Sequence, residues 1–521
     1  MTFNTSSLPQ IGRRGFLAGA SAIGAGLLLG AGTARAATPK TGGHFRIGIG
    51  DFKTTDTLDT TSNDTKFYNI SQFILRNNLV EVAPDGELIP ELATSWESSA
   101  DATTWVFKLR QGVTFHSGKT FGPEDVIFTL NKHVAADSTS AIKPFLKSIV
   151  SVTATAPDEV TIVLADGNVG LPAILTVPAA AMLAEGTTDP LDGNGTGPYK
   201  LERWQAGIGA SFSKNPSYWK EGRGHFDSVE LIAIADPSAR TAALVGGKID
   251  AYNQVDLKTV NLLKRNAGIQ ILSQASKAHY VFPMNMTLAP FNNPDVVAAM
   301  KYAINRQDLV DRILNGYGTV GNDQPISSAY RYYNADLPQR EYDPEKAKSL
   351  LAKAGMSGLK VELNVSDVPF SGATDAAVLF KSHAEAAGIT IDVKRVPDDG
   401  YWDNVWIKSP LCASRWSGRP TEDIMIGGVY TKSAVQAGWN ETSMQDDQLD
   451  QLVLLARKEL DETKRRQMYF DMQQIIHERG SANIFAFANF TDAASSKIAF
   501  DTIGNDWDLD GFRAAERWWF A

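Results

Sequence analysis

Tyr401, Trp402, Trp406, Trp416, Tyr430 and Trp439 put six aromatic rings into the single stretch 401–439. Flat, rigid rings supply contact area in ligand clefts, although half or more of these are expected simply to pack a core. Among them runs Cys412-Ala-Ser-Arg-Trp-Ser-Gly-Arg-Pro-Thr-Glu-Asp423. It sets the guanidinium of Arg419 close in sequence to Trp416 and to the carboxylates of Glu422 and Asp423. A guanidinium grips a carboxylate through two parallel hydrogen bonds. The plainer arrangement is an internal pair between Arg419 and Glu422 or Asp423.

Constellations for catalysis or metal binding are not found. The seven histidines are scattered, without H-x-H, H-E-x-x-H or a Cys/His cluster. His116 lies in a turn, where a hydrogen-bonded structural role is expected. No nucleophile elbow or phosphate-cradling loop is present, and Gly48-Ile-Gly50 lacks the later glycine of a dinucleotide site. The expectation is a protein with no catalytic residues, no cofactor and no metal. The one cysteine, Cys412, allows no intrachain disulfide. A net charge of −9 argues against nucleic-acid or anionic-membrane partners.

The elements that must hold such residues alternate between strand and helix. Gly42–Ile49, Trp105–Arg110 and Glu159–Leu164 alternate apolar and polar residues as half-buried strands do. Pro123-Glu-Asp opens a helix, with proline in its first turn and acids at its positive end. Lys360–Val365, Ala376–Ala387 and Ile389–Val396 read as a β-α-β unit suited to a parallel crossover. The stretch 449–479 reads as strongly helical, and the chain ends in an apolar, strand-like tail. Its length is enough for two or three domains.

The N-terminus carries a twin-arginine pair in Gly12-Arg-Arg-Gly-Phe-Leu17, then a Gly/Ala/Leu-rich segment, then Ala34-Arg-Ala36 as an A-x-A cleavage site. The apolar segment is too short and glycine-laden to span a bilayer comfortably. Residues 1–36 are therefore expected to be a Tat-type signal peptide, with the Tat translocon as a transient partner and the periplasm as destination. Its removal takes away Arg13, Arg14 and Arg35 and no acids, leaving the mature chain three charges more negative.

Leu92-Ala-Thr-Ser-Trp-Glu97, Trp105-Val-Phe-Lys-Leu-Arg-Gln-Gly-Val-Thr-Phe-His116 and Glu124-Asp-Val-Ile-Phe128 follow one another in order. Together they resemble the signature of the dipeptide/oligopeptide/nickel solute-binding family, the extracytoplasmic receptors of ABC importers. The resemblance extends over essentially the whole mature chain. It implies a two-lobed α/β periplasmic binding protein (type II, cluster C) with an extra domain inserted in the first lobe. Lobe I would comprise 37–82, 195–275 and 488–521, the extra domain 83–194, and lobe II 276–487. The implied function is capture of a small polar ligand by hinge closure and delivery to an ABC permease in the inner membrane. The implied receptor is a monomer that does not bind nucleic acid.

In peptide-binding relatives the segment equivalent to 416–423 reads roughly W-x-x-D-Y-x-D-P, its first acid meeting the peptide's α-ammonium. Here Trp416 matches the tryptophan, Arg419 stands in place of that acid, Pro420 in place of the tyrosine, and Glu422 matches the second acid. The charge at the ligand position is thereby reversed, which favours a carboxylate. Glu422 and Asp423 would suit a cationic group on the same ligand. The expected ligand contacts are Arg419, Trp416, Trp402, Tyr401, Trp439, Glu422 and Asp423, and the expected ligands are short peptides, opine-like amino-acid conjugates or other carboxylated metabolites. An exported hydrolase and a metal-chelate or nickel receptor are the competing readings.

Overall fold

Strand His44–Ile49 buries Phe45, Ile47 and Ile49 and lies inside a seven-stranded sheet. The computed structural model describes residues 39–61 and 65–521. The Arg13-Arg14 pair, the apolar segment after it and the Ala34-Arg-Ala36 site lie outside the described residues. The sheet runs in the order 269–274, 490–495, 251–252, 44–49, 228–233, 209–214, 199–205. His44–Ile49 pairs in parallel with 228–233 and 251–252, and the remaining ladders are antiparallel. Helix Lys66–Leu75 packs its apolar face on this layer, and Thr65 caps it by accepting from the backbone N–H of Tyr68.

A second, four-stranded antiparallel sheet is formed by 93–98, 104–109, 159–164 and 149–156. Along Thr104–Leu109 the side chains of Trp105, Phe107 and Leu109 are buried while Lys108 is exposed, the period-2 pattern of a strand with one wet face. Helix Pro123–Val134 covers the sheet, and Asp125 accepts from the N–H groups of Gly122 (2.9 Å) and Glu185 (2.7 Å). His116 is hydrogen-bonded to the carbonyl of Gly197 (3.0 Å), and burial lowers its pKa. Buried ion pairs join this sheet's flank to the end of the chain: Arg513 to Glu91 (3.0 Å) and Arg517 to Glu81 (2.7 Å).

The third layer orders strands 318–320, 482–488, 279–283 and 414–416. Beside it, 360–365 and 390–395 pair in parallel with helix Ala373–Glu385 between them in sequence, as the β-α-β reading expects. Asn293 caps helix Pro294–Tyr302 by accepting from the N–H of Asp295 (2.9 Å). The stretch 449–479, expected to be helical throughout, is divided into Asp447–Ala456 and Glu462–Arg479. Asp461 restarts the second helix by accepting from the N–H groups of Thr463 (3.0 Å) and Lys464 (3.1 Å). The C-terminal tail is also different from expectation, forming a left-handed turn around Leu509 and Asp510 and a short helix, Ala514–Arg517, before a two-residue strand, Trp519–Phe520.

The chain passes between the first and third layers through two short connections. One joins strand 269–274 to 279–283, the other joins 482–488 to 490–495. They lie side by side: Ser276 Oγ donates to the carbonyl of Ala488 (2.6 Å), and Ala488 N–H to that of Ala278 (3.1 Å). No helix among the described residues is long and apolar enough to cross a membrane.

Candidate functional site

Strand 414–416, the loop after it and the first turn of helix Glu422–Val429 carry the polar residues singled out from the sequence, and the loop forms part of the walls of two cavities. The first cavity, of about 340 Å³, is a bowl of Trp402, Trp406, Trp416 and Trp439 with Arg415 and Arg419. The rings meet edge to face: Trp402 and Trp406 have centroids 5.6 Å apart, Trp406 and Trp439 5.9 Å, Trp406 and Trp416 6.1 Å. Trp402 and Trp439 remain 38% and 49% exposed, so the bowl opens to solvent.

Beneath the rings lies Glu441, which nothing in the sequence flagged. Its carboxylate accepts from the indole N–H of Trp406 (2.6 Å), the indole N–H of Trp416 (2.9 Å) and the hydroxyl of Ser414 (2.6 Å). Burial pushes its pKa up, against those three hydrogen bonds. Two of the four tryptophans are thus held in fixed orientations by one carboxylate.

Arg419 places its guanidinium 5.2 Å from the centre of the Trp416 ring. Its backbone N–H donates to the hydroxyl of Tyr330 (2.9 Å), and its Nη1 donates to the neighbouring Gly418 carbonyl (3.2 Å). Among the described residues it makes no ion pair, and burial lowers its pKa. The internal pair with Glu422 or Asp423 is not formed. Glu422 is buried and accepts instead from the N–H of Tyr332 (2.7 Å), while Asp423 pairs with Arg457 Nε (2.7 Å). Burial raises the pKa of both acids.

Glu422 and Asp423 face the second cavity, of about 360 Å³, together with Tyr330 and Arg457 on one side and Gly170 and Trp507 on the other. This cavity draws on all three layers. Its edges are bridged by Arg331 to Glu87 (3.3 Å) and by Lys277 to Asp506 (3.1 Å). Ile424, from helix Glu422–Val429, is buried in the apolar core that the antiparallel sheet builds from residues 79–184, and Val169 N–H donates to the Arg457 carbonyl (2.9 Å).

The structure therefore brings Arg419, Trp416, Trp402 and Trp439 together in the bowl and sets Glu422 and Asp423 on the adjoining cavity. Tyr401 stands behind the bowl: its buried ring meets Trp402 edge to face at 5.7 Å, and its hydroxyl donates to the Ala413 carbonyl (2.7 Å). The sequence reading missed Glu441, Arg415 and the C-terminal wall residues Asp506 and Trp507. The partners of Glu441 and Asp506 lie 25 or more residues away, at separations that no local spacing exposes. Among the described residues no group of three or more His, Cys, Asp or Glu side chains is arranged to hold a metal ion.

Residues 87–434 match the family model for the middle region of bacterial extracellular solute-binding proteins, family 5. The glutathione-binding protein GsiB of Escherichia coli O6:K15:H31 (strain 536) is 32% identical over 317 residues, covering 58% of this chain and 60% of that protein. The match thus spans only about three fifths of that relative's length. Two solved structures share the fold at 22% identity. HbpA2 of Haemophilus parasuis superposes with a TM-score of 0.81 over 92% of this chain and 100% of its own. The PBP AgaA of A. tumefaciens R10, in complex with agropinic acid, gives 0.73 over 92% and 99%.

Proposed function

From the premise that the chain belongs to the family 5 bacterial extracellular solute-binding proteins, with the two-lobed α/β architecture of type II, cluster C, we propose that it captures a small carboxylate-bearing ligand by lobe closure and delivers it to an ABC permease. The ligand class is a short peptide, an opine-like amino-acid conjugate or another carboxylated metabolite. One observation carries this reading: Arg419, partly buried on the loop shared by both cavities, makes no ion pair among the described residues. A desolvated guanidinium without a counter-charge is a costly arrangement that an incoming carboxylate relieves. The glutathione-binding relative and the agropinic-acid complex support the same ligand chemistry.

Calorimetry with a carboxylate ligand recovered from native periplasm, and with its amide, tests the reading. Arg419→Ala is expected to cost about 2–5 kcal/mol of binding free energy. Arg419→Lys is expected to weaken binding as well, because an ammonium lacks the planar fork. The amide should bind the wild type poorly and lose little more in Arg419→Ala, the non-additivity of a direct contact. Equal losses for acid and amide would remove the case for a carboxylate at Arg419.

We further infer that the twin-arginine motif directs export to the periplasm. Changing Arg13 and Arg14 together to lysine is expected to strand the precursor in the cytoplasm. Unchanged periplasmic yield on fractionation excludes that route.

A further inference from the structure

The tryptophan bowl has a chemical character of its own. The N–H donors of Trp406 and Trp416 are taken up by Glu441, which does not line the cavity. What these two rings offer a ligand is therefore π-face and C–H edge. Such faces attract cations, yet Arg415 and Arg419 stand in the same cavity, and neither makes an ion pair among the described residues. Two uncompensated guanidiniums repel a cationic occupant. An anion alone, conversely, has no use for four indoles. The pattern left is an apolar ring surface beside a positive edge. Size agrees: an apolar cavity of roughly 150 Å³ accepts benzene, and the bowl offers about 340 Å³.

We propose that the bowl of Trp402, Trp406, Trp416 and Trp439 is a subsite for an aromatic group carried on the carboxylate ligand, and that Glu441 is the positioning residue that sets its rings. This rests on the reading of Arg419 as the carboxylate contact. It narrows the ligand class to aromatic carboxylates, such as acylated aromatic amino acids or peptides with an aromatic residue next to the free carboxylate.

Three probes separate the two claims by calorimetry on the mature protein: N-acetylglycine, N-acetylphenylalanine and N-acetylphenylalanine amide. N-acetylphenylalanine is expected to bind roughly tenfold or more tighter than N-acetylglycine, the gain of an aromatic ring packed on aromatic rings. Trp439→Ala, a change at a half-exposed side chain, is expected to erase that preference while leaving the weak binding of N-acetylglycine in place. Glu441→Gln supplies only one acceptor oxygen where the carboxylate supplies two, and is expected to shrink the preference without a matching loss for N-acetylglycine. If that variant unfolds, Trp402→Ala, also at an exposed ring, takes its place in testing the bowl. Equal binding of the glycine and phenylalanine acids, or a preference that survives Trp439→Ala, overturns the subsite and leaves the Arg419 reading intact. Equal binding of N-acetylphenylalanine and its amide, with the aromatic preference retained, supports the bowl and removes the Arg419 reading. Failure of N-acetylphenylalanine to bind at about 10 mM, roughly tenfold above a weak Kd of 1 mM, overturns the proposal.

Discussion

Asp492 and Asp508 are two buried carboxylates near the crossing between the lobes, and their environment makes a pH-dependent prediction. Asp492 Oδ2 accepts from the N–H of Leu509 (2.6 Å), and Asp508 Oδ2 accepts from Asn253 Nδ2 (3.0 Å) and meets Lys66 Nζ. Burial, then repulsion from Asp508, pushes Asp492 up to about 8. An aspartate in the unfolded chain titrates near 3.9, so the native state keeps a proton that the unfolded state has lost. Stability from this site is accordingly present at low pH, falls as pH rises from about 4 to about 8, and is flat above that. Asp492→Asn removes the dependence: its melting temperature should exceed the wild type's at pH 8.5, with the gap closing toward pH 4. A variant no more stable than wild type under alkaline conditions contradicts the assignment. Residues of this kind show how far sequence reading reaches. Arg419 stood out because its charge opposes the one expected at its position. Glu441 and Asp492 carry no such mark, since a carboxylate is recognisable as buried only once the chain returns to cover it.

Among the elements, the two helices 447–456 and 462–479 are the clearest departure from the sequence reading. Neither Gly nor Pro separates them, and the polar–apolar pattern runs on without interruption. The break is made by one exposed carboxylate, Asp461, acting as a cap. Asp461→Ala is expected to cost about 1 kcal/mol of stability, readable as a shift of the urea midpoint at unchanged slope. No shift would mean that packing alone ends the first helix. The break also matters for the cleft, because Arg457, where the first helix closes, holds Asp423 through its side chain and Val169 through its carbonyl. Elements built on local periodicity were legible: strands 159–164 and 360–365 and the helix opening at Pro123 occur where alternation and proline placed them. The parallel partner of 360–365 was legible as well, through its β-α-β spacing, whereas the pairing of 44–49 with both 228–233 and 251–252 was not, because it depends on contacts some two hundred residues apart.

For the molecule as a whole, among the described residues two adjacent connections carry the chain between the first and third layers, which is the geometry of a hinge. A cognate ligand satisfied by both sides is expected to compact the protein and raise its melting temperature. At ligand about 100 times Kd, mass action alone contributes ~2.7 kcal/mol. Small-angle scattering checks the first effect and calorimetric melting the second. Tight binding with an unchanged radius of gyration would exclude closure as the mechanism. The seven-stranded sheet, assembled from strands at both ends of the chain, shows why lobe composition could be expected only through family resemblance.

Ile424 gives this architecture a noise floor. The side chain belongs to the loop-and-helix segment beside Arg419 but is buried in the core of the antiparallel sheet across the cleft. Prising it out exposes an isoleucine to water, at about 1.5–3 kcal/mol, whether or not cargo is present. Every 1.4 kcal/mol is a tenfold change in population, so under the proposed closure mechanism an opening motion that withdraws Ile424 would work against a bias of one to two powers of ten. Fidelity in such a system depends on the cargo adding a larger bias than the receptor's own clasp.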